Sequence, residues 1–414
     1  MLATCLGCGC ACDDIQLRIE ANRIREARNA CDLGLRWFGD GSAPSRALAG
    51  SRDVSVEEAL DAAARTLRHA SRALVLLAPD ISCEAQRAAI ALADTLHAAI
   101  DGVTSSTTLH SVLAAQEIGR ASATLGEIRN RADVVVFWGV DPSSRYPRFA
   151  TRYAPDPVGI HIGGRRDRVV IAVDVGRARG PEDADHRLEV PPNREVDLLG
   201  ELSACAARAD TANAPAILQH MLRGKYVALV ADAEPDDRDD RDDGRTASLV
   251  TLSQALNGPT RCAYIALRAG GNRSGADACL TAQTGYPMAV DFSRGYPRYR
   301  PYDHAAARLE RGSVDALLIV GFSGLVGPRL AALLGRAPAI VIGPRATGAA
   351  FDATVAVDTA VAGIHEAGTA LRMDDVPLPL GAPLSGPPAT VDVVAALVRR
   401  LAETSVAPTA GDRQ

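Results

Sequence analysis

A chain of 414 residues, 47% apolar and 23% charged, is long enough for two or three domains with proper cores. Its net charge of −5, with no basic run interleaved with aromatics, argues against a nucleic-acid footprint. No apolar stretch approaches the roughly 20 residues that span a bilayer. Nor does a charged n-region precede an apolar h-region, so a cytoplasmic protein with no membrane partner is expected.

The chain opens with Cys5-Leu-Gly-Cys8-Gly-Cys10-Ala-Cys12-Asp-Asp, answered by Cys31, which places five of the nine cysteines in the first 31 residues. Cys5, Cys8 and Cys12 have C-x2-C-x3-C spacing, and residues 15–27 alternate like a hairpin. A loop of this kind can aim three thiolates inward while a neighbouring segment supplies Cys31, which suits a tetrahedral zinc or a four-iron cluster. Gly7 and Gly9 are expected to let the backbone bend around the sulfurs. Cys10, between the ligands, is expected to point away. A chance cluster or a disulfide pair is the competing reading. A reducing compartment favours the metal, and the three-plus-one spacing favours a [4Fe–4S] cluster over zinc.

A polar linker over 39–53 leads into strand–helix alternation. Buried strands are expected at 73–77, 98–103, 133–139 and 169–175, then at 226–231, 262–267, 316–320 and 339–342. Helices are expected at 83–97, 111–119, 194–208 and 391–401. Continuous apolar runs between helices indicate parallel sheets covered on both faces, and so many strands indicate two doubly wound domains. The Asp/Arg run over 232–245 reads as a solvated loop. The tail over 403–414 lacks apolar periodicity and is expected to be frayed.

Lys225 is the sole lysine and no glycine-rich loop precedes it, which speaks against a Walker-type phosphate site and against pyridoxal chemistry. The eight histidines fall in no metal-ligand spacing, and no G-x-S-x-G elbow occurs. Loops just past strand ends are the expected ligand positions. They are Trp138-Gly-Val-Asp141-Pro and Gly321-Phe-Ser-Gly324-Leu-Val-Gly327, the second offering backbone N–H groups to an anion or serving as a plain turn. Asp174, closing a strand, can accept a ribose hydroxyl or simply form a turn. The arginine- and tyrosine-rich block over 284–302, in a chain with 4% aromatics, reads as an interface or a pocket wall. Its anchors are Arg294, Tyr296, Arg298 and Tyr299.

Several blocks together resemble the B subunit of formylmethanofuran dehydrogenase, a branch of the molybdopterin oxidoreductases related to formate dehydrogenases. They are the cysteine motif, Asn29-Ala-Cys31-Asp-Leu-Gly-Leu-Arg-Trp-Phe38, Thr124-Leu-Gly-Glu-Ile-Arg-Asn-Arg-Ala-Asp133, Val290-Asp-Phe-Ser-Arg-Gly-Tyr-Pro-Arg-Tyr299 and Gly368-Thr-Ala-Leu-Arg-Met-Asp-Asp-Val-Pro377. The resemblance implies an α/β fold with a small N-terminal Fe–S-type domain and two doubly wound parallel-sheet domains. The expected divisions are 1–50 for the cluster domain, 51–165 for the first α/β domain, 166–312 for the second and 313–402 for a C-terminal segment that can complete the first.

The departures from the family are instructive. A Cys-His pair that serves molybdenum or tungsten in the dehydrogenases aligns with Thr107 and Thr108, in Thr104-Ser-Ser-Thr-Thr-Leu-His-Ser111. A hydroxyl is a poor substitute for thiolate on such a metal, and His110 sits two positions late. Asp141 replaces an Asn of a pterin-nucleotide loop, where a carboxylate repels a diphosphate by about 1 kcal/mol. Gly176-Arg-Ala-Arg-Gly180 replaces threonines after Asp174, and Asp375 stands where Gly is common. This combination resembles the bacterial formyltransferase/hydrolase complex. The implied function is a non-redox structural subunit in tetrahydromethanopterin- and methanofuran-linked formaldehyde oxidation to formate. Its partners would be amidohydrolase-like and formyltransferase subunits, and molybdopterin or tungstopterin would be absent. The alternatives are an active molybdenum or tungsten dehydrogenase subunit and an electron-transfer relic.

Overall fold

Short apolar runs such as Val134–Trp138 (Val-Val-Val-Phe-Trp) and Ala73–Leu77 are buried along their whole length, as strands covered on both faces must be. The computed structural model describes residues 1–208, 214–234, 244–322, 324 and 326–403. Among these, two parallel-centred sheets carry the architecture. One is wholly parallel, in the order His186–Val190, Val169–Val175, Val134–Trp138, Val227–Asp232, Cys262–Leu267. The other has a parallel centre of Ala99–Gly102, Ala73–Leu77, Ala316–Val320, Ala339–Gly343 and Val355–Asp358. Antiparallel strands cover both its edges, Val290–Asp291 with Arg298–Tyr299 on one side and Ala47–Ala49 with Arg52–Asp53 on the other. An N-terminal antiparallel sheet (Leu2–Ala3, Ile15–Glu20, Arg23–Arg28) and the hairpin Gly368–Leu371/Pro377–Leu380 complete the set.

Strand pairing runs across the divisions expected at 165/166 and 312/313. Val134–Trp138 is central to the wholly parallel sheet, because its neighbours there are Val169–Val175 and Val227–Asp232. Ala316–Val320 lies beside Ala73–Leu77, so the larger sheet draws on both ends of the chain. Hydrophobic length marks a strand but says nothing of its partner.

Helix starts follow local chemistry. Ser55 and Glu58 form a reciprocal capping box at Val56–His69, which turns Ala59, Leu60, Ala63, Ala64 and Leu67 into the core. Ser82 and Thr124 cap the helices Cys83–Thr95 and Leu125–Arg131 through their side-chain oxygens. The helix expected from 111 begins at Ser105 instead, running Ser105–Ile118. Its polar first turn is poor helix sequence, yet buried Asp101 accepts from the Ser105 hydroxyl at 2.6 Å. Residues 235–243 of the charge run and 404–414 of the tail lie outside the described residues. No described helix is long and apolar enough to cross a membrane.

Asp101 joins four segments. Besides Ser105 it accepts from the amides of Gly102 at 2.9 Å, Ala289 at 2.9 Å and Ala305 at 2.7 Å. Burial pushes its carboxyl up to about 6 against those donors. Asp101→Asn presents an amide N–H₂ to groups that themselves donate. The substitution is expected to cost about 2–4 kcal/mol in equilibrium urea unfolding; a change below about 0.5 kcal/mol would show that Asp101 does not tie these segments together.

Candidate functional site

The cysteine loop lies between Leu2–Ala3 and Ile15–Glu20 and is closed by Cys5 N–H to Cys12 O at 2.9 Å and Ala11 N–H to Cys8 O at 3.1 Å. Cys31 sits at the N-cap of the helix Asp32–Phe38. The Gly7 amide donates to Cys5 Sγ at 3.3 Å. The reason for the glycines differs from the one expected. Neither has a positive φ; the left-handed bend is at Ala11, φ 38°. Gly9 is needed because a Cβ there would collide with the Arg268 carbonyl oxygen, and one at Gly7 would stand 2.8 Å from the Leu33 carbonyl oxygen. The loop is moored by Gly271 N–H to Leu6 O at 2.8 Å and Met373 N–H to Gly9 O at 3.2 Å.

Cys5, Cys8 and Cys12 are buried and Cys31 is half-buried. Burial pushes the Cys5 thiol up, and Cys8, Cys12 and Cys31 lie close enough to add to that rise. Burial likewise pushes Cys12 up to about 11, opposed by the guanidiniums of Arg152 and Arg148. Those arginines are held by acidic neighbours of the motif: Arg148 bidentate to Asp14 at 2.6 and 2.7 Å, and Arg152 to Asp14 and, at 2.8 Å, to Asp13. Cys10 does not point away as expected. It is 0% exposed, and its thiol hydrogen-bonds Cys8, which lowers Cys8 and raises Cys10. None of the nine cysteines is in a disulfide. Among the described residues no three His, Cys, Asp or Glu side chains converge as a site for a metal ion.

Beside this loop lies a cavity of about 560 Å³, walled by the helices Ser105–Ile118 and Arg273–Thr284, the end of Cys262–Leu267 and the turn at 373–375. Arg268 dominates its floor. The guanidinium donates to Glu234 at 3.1 Å, Asp277 at 2.5 Å and the Thr104 hydroxyl at 3.1 Å, so all three nitrogens are engaged. Arg273 adds a contact to Glu234 at 3.6 Å. Asp374 is spent on Arg372, at 2.6 and 2.7 Å, and on the Leu125 amide at 2.6 Å. Asp375 adopts φ 62°, a backbone that favours glycine.

Thr108 lines this cavity, but its hydroxyl donates to Thr104 O at 3.0 Å, and Thr107 does the same at 2.9 Å. Both hydroxyls therefore bond back into their own helix turn. The other expected ligand positions are also spent within the chain. Asp141 accepts from the Ser143 amide at 2.8 Å, forming a turn. Asp174 is buried and accepts from Arg187 at 2.6 Å, Arg179 at 2.9 Å and the Gly180 amide at 2.8 Å. Gly321, φ 112°, makes a tight turn against Ala78 and Asp80, and the following amide, Phe322, is taken by Asp80 at 2.8 Å. Gly324 is exposed beside the Phe322 ring. None of these four positions lines the cavity.

In the arginine/tyrosine block Arg294 and Tyr296 are exposed, Tyr296 by 54%. Arg298 instead pairs with Asp291 at 3.1 Å, and Tyr299 stacks on Tyr286 with its hydroxyl on Gln116 at 3.1 Å. The histidines serve local roles, His304 capping a helix and His365 bonding Gly41 O at 2.9 Å.

Sequence reasoning missed Arg268, Glu234 and Asp277, and also the closed ring at the sheet's switch point. There Glu195 accepts from Trp138 Nε1 and from Arg245 Nε, both at 2.7 Å, while Arg245 donates to Trp138 O at 3.1 Å. The crevice between strand ends, where open α/β sheets receive ligands, is thus filled by the chain's own ion pair. An arginine set directly after a buried strand and before Ala-Gly-Gly-Asn was the available signal for Arg268.

Two parallel-centred sheets packed with helices define an α/β protein. No family model matches the chain. It is 31% identical to the B subunit of the tungsten-containing formylmethanofuran dehydrogenase 2 of Methanococcus maripaludis, over 92% of this chain and 93% of that one. The same identity holds for the corresponding protein of Methanocaldococcus jannaschii, over 91% and 92%. In structure it is similar to a chain of the formyltransferase/hydrolase complex of Methylorubrum extorquens in complex with methylofuran. That match has a TM-score of 0.73 at 25% identity, covering 87% of this chain and 100% of that one. The chain belongs to the family of formylmethanofuran dehydrogenase B subunits.

Arg268→Leu leaves Glu234 and Asp277 buried without their principal cation. It is expected to lower stability by about 3–5 kcal/mol in denaturant unfolding, and adding Glu234→Gln and Asp277→Asn should recover much of that loss. Equal stability of the single variant and the parent would show that the buried carboxylates do not depend on Arg268.

Proposed function

We propose that this chain is the non-redox B subunit of a formyltransferase/hydrolase complex, holding formyltransferase and amidohydrolase-like subunits together in the cytoplasm. It would serve tetrahydromethanopterin- and methanofuran-linked oxidation of formaldehyde to formate. One observation carries the reading: where the dehydrogenases place a metal-binding thiolate, Thr107 and Thr108 turn their hydroxyls onto the Thr104 carbonyl. The full coverage of the Methylorubrum chain supports the same assignment. The fold would be that of the molybdopterin oxidoreductases, with a small cluster domain ahead of two α/β domains whose sheets draw strands from across the divisions at 165/166 and 312/313.

The residues present do not fit a pterin dinucleotide. Asp174 is saturated by two arginines, the Phe322 amide by Asp80, and the switch-point crevice by Glu195 and Arg245. No step of the function passes through that group. The support for an iron–sulfur cluster is the shared neighbourhood of four sulfurs, with an N–H donated to Cys5 and two arginines alongside; the thiols do not converge as a metal site in this structure and would have to draw together around it. Cys5, Cys8, Cys12 and Cys31 would hold it, and the cluster would supply a covalent tie between the loop and Cys31. Arg294 and Tyr296, the exposed anchors of the aromatic block, would contact another subunit, with Arg298 and Tyr299 bracing them from behind.

Purification of the chain with whatever co-elutes, with metals quantified in the same sample, tests this reading. Iron is expected with formyltransferase and amidohydrolase-like subunits, and molybdenum and tungsten far below one equivalent. Either metal near one equivalent would overturn the assignment. Cys8→Ala is expected to lower iron content and the melting temperature while formyl transfer by the assembled complex persists.

A further inference from the structure

Cys83 and Cys279 are not used by the cluster, the cavity or the proposed interface, yet they are buried side by side. Cys83 is the first residue of the helix Cys83–Thr95, and Cys279 lies mid-way along Arg273–Thr284, which packs against it. The Cys279 thiol donates to the Cys83 carbonyl oxygen at 3.6 Å, and each sulfur shifts the titration of the other. The buried Asn272 amide donates to Cys83 Sγ at 3.4 Å. We propose that Cys83 and Cys279 form a reactive dithiol that a hydroperoxide converts reversibly to a disulfide, clamping these two helices together.

The electrostatics favour Cys83 as the attacking sulfur. The Cys279 thiol and the Asn272 amide pull Cys83 down from the usual thiol range, while Cys279 is pushed up. Placement at a helix N-terminus acts in the same direction as those donors. The Cys83 thiolate attacks the terminal peroxide oxygen, the O–O bond breaks and an S–O bond forms, leaving a sulfenic acid and, after protonation, the corresponding alcohol, which is water for hydrogen peroxide. The Cys279 sulfur then displaces the sulfenic hydroxyl, which leaves with the Cys279 thiol proton as water, forming the S–S bond. The two thiols lose two electrons and one hydroperoxide gains them. A small-molecule dithiol reverses the step.

The position gives the bond a consequence. Glu84, next to Cys83, accepts from the Thr369 amide at 2.9 Å and hydroxyl at 3.1 Å. Asn272 accepts from the Leu371 amide at 2.8 Å. The hairpin so held carries the cavity turn at 373–375, and Arg273–Thr284 presents Ser274, Asp277, Ala278 and Thr281 to the same cavity. A disulfide here would fix two cavity walls against each other. The inference goes beyond the proposed function and survives or fails without it.

The experiment exposes the full-length, reduced protein to hydrogen peroxide, alkylates remaining thiols and maps peptides without reduction. A linked pair containing Cys83 and Cys279 is expected, absent from Cys83→Ser and Cys279→Ser and removed by dithiothreitol. The oxidised parent should melt about 5 °C or more above the reduced parent, a shift that Cys83→Ser lacks. Recovery of both cysteines as alkylated thiols, linkage of either to another cysteine, or sulfinic acid at Cys83 without the link would each overturn the proposal. Mapping by peptide keeps oxidation of the N-terminal cysteines separate from this result.

Discussion

The Arg268 guanidinium is where the molecule is joined. It leaves the end of Cys262–Leu267 in one sheet and reaches Thr104, which follows Ala99–Gly102 in the other. Glu234 and Asp277 complete its coordination. A buried cation with all three nitrogens engaged is tolerable only while both carboxylates remain, and removing either side exposes the desolvation cost of the other. The cysteine loop depends on the same point, since Gly9 passes against the Arg268 backbone and Leu6 and Gly9 bond to Gly271 and Met373. Cluster loop, cavity floor and sheet seam are thus one mechanical unit.

That unit gives the cavity walls a shape fixed by the chain's own contacts. Polar groups that line such a space must find partners when no ligand supplies them. Here they have: Asp374 with Arg372 and Leu125, and Arg268 with Asp277, Glu234 and Thr104. Thr107 and Thr108 close onto the Thr104 carbonyl one turn back.

Much of the fold was legible because strands buried on both faces must be continuously apolar. Val169–Val175, Cys262–Leu267 and Ala316–Val320 have the bounds the sequence indicates. Their partners were not legible, since Leu317 beside Leu74 is a contact between distant parts of the chain that no local pattern encodes. The start of Ser105–Ile118 was hidden for a related reason. Ser and Thr make a weak first turn unless an acceptor such as Asp101 stands nearby, and Asp101 is placed there by a strand. Cys10 was misread because spacing gives the order of sulfurs along a loop but not which of them face one another.

The candidate site divides along the same line. Residue types marked out the cysteine motif and the Thr107–Thr108 pair, since both are matters of residue type at fixed spacing. Nothing local announced that Asp174 is neutralised by Arg179 and Arg187, although the Gly-Arg-Ala-Arg-Gly segment that replaces the family's threonines supplies one of them. A carboxylate after a strand can receive a ribose only if its lone pairs are open, and those of Asp174 accept from two guanidiniums and an amide. The difference between a nucleotide site and a self-paired turn therefore lies in two arginines, one five residues on and one on the adjacent strand.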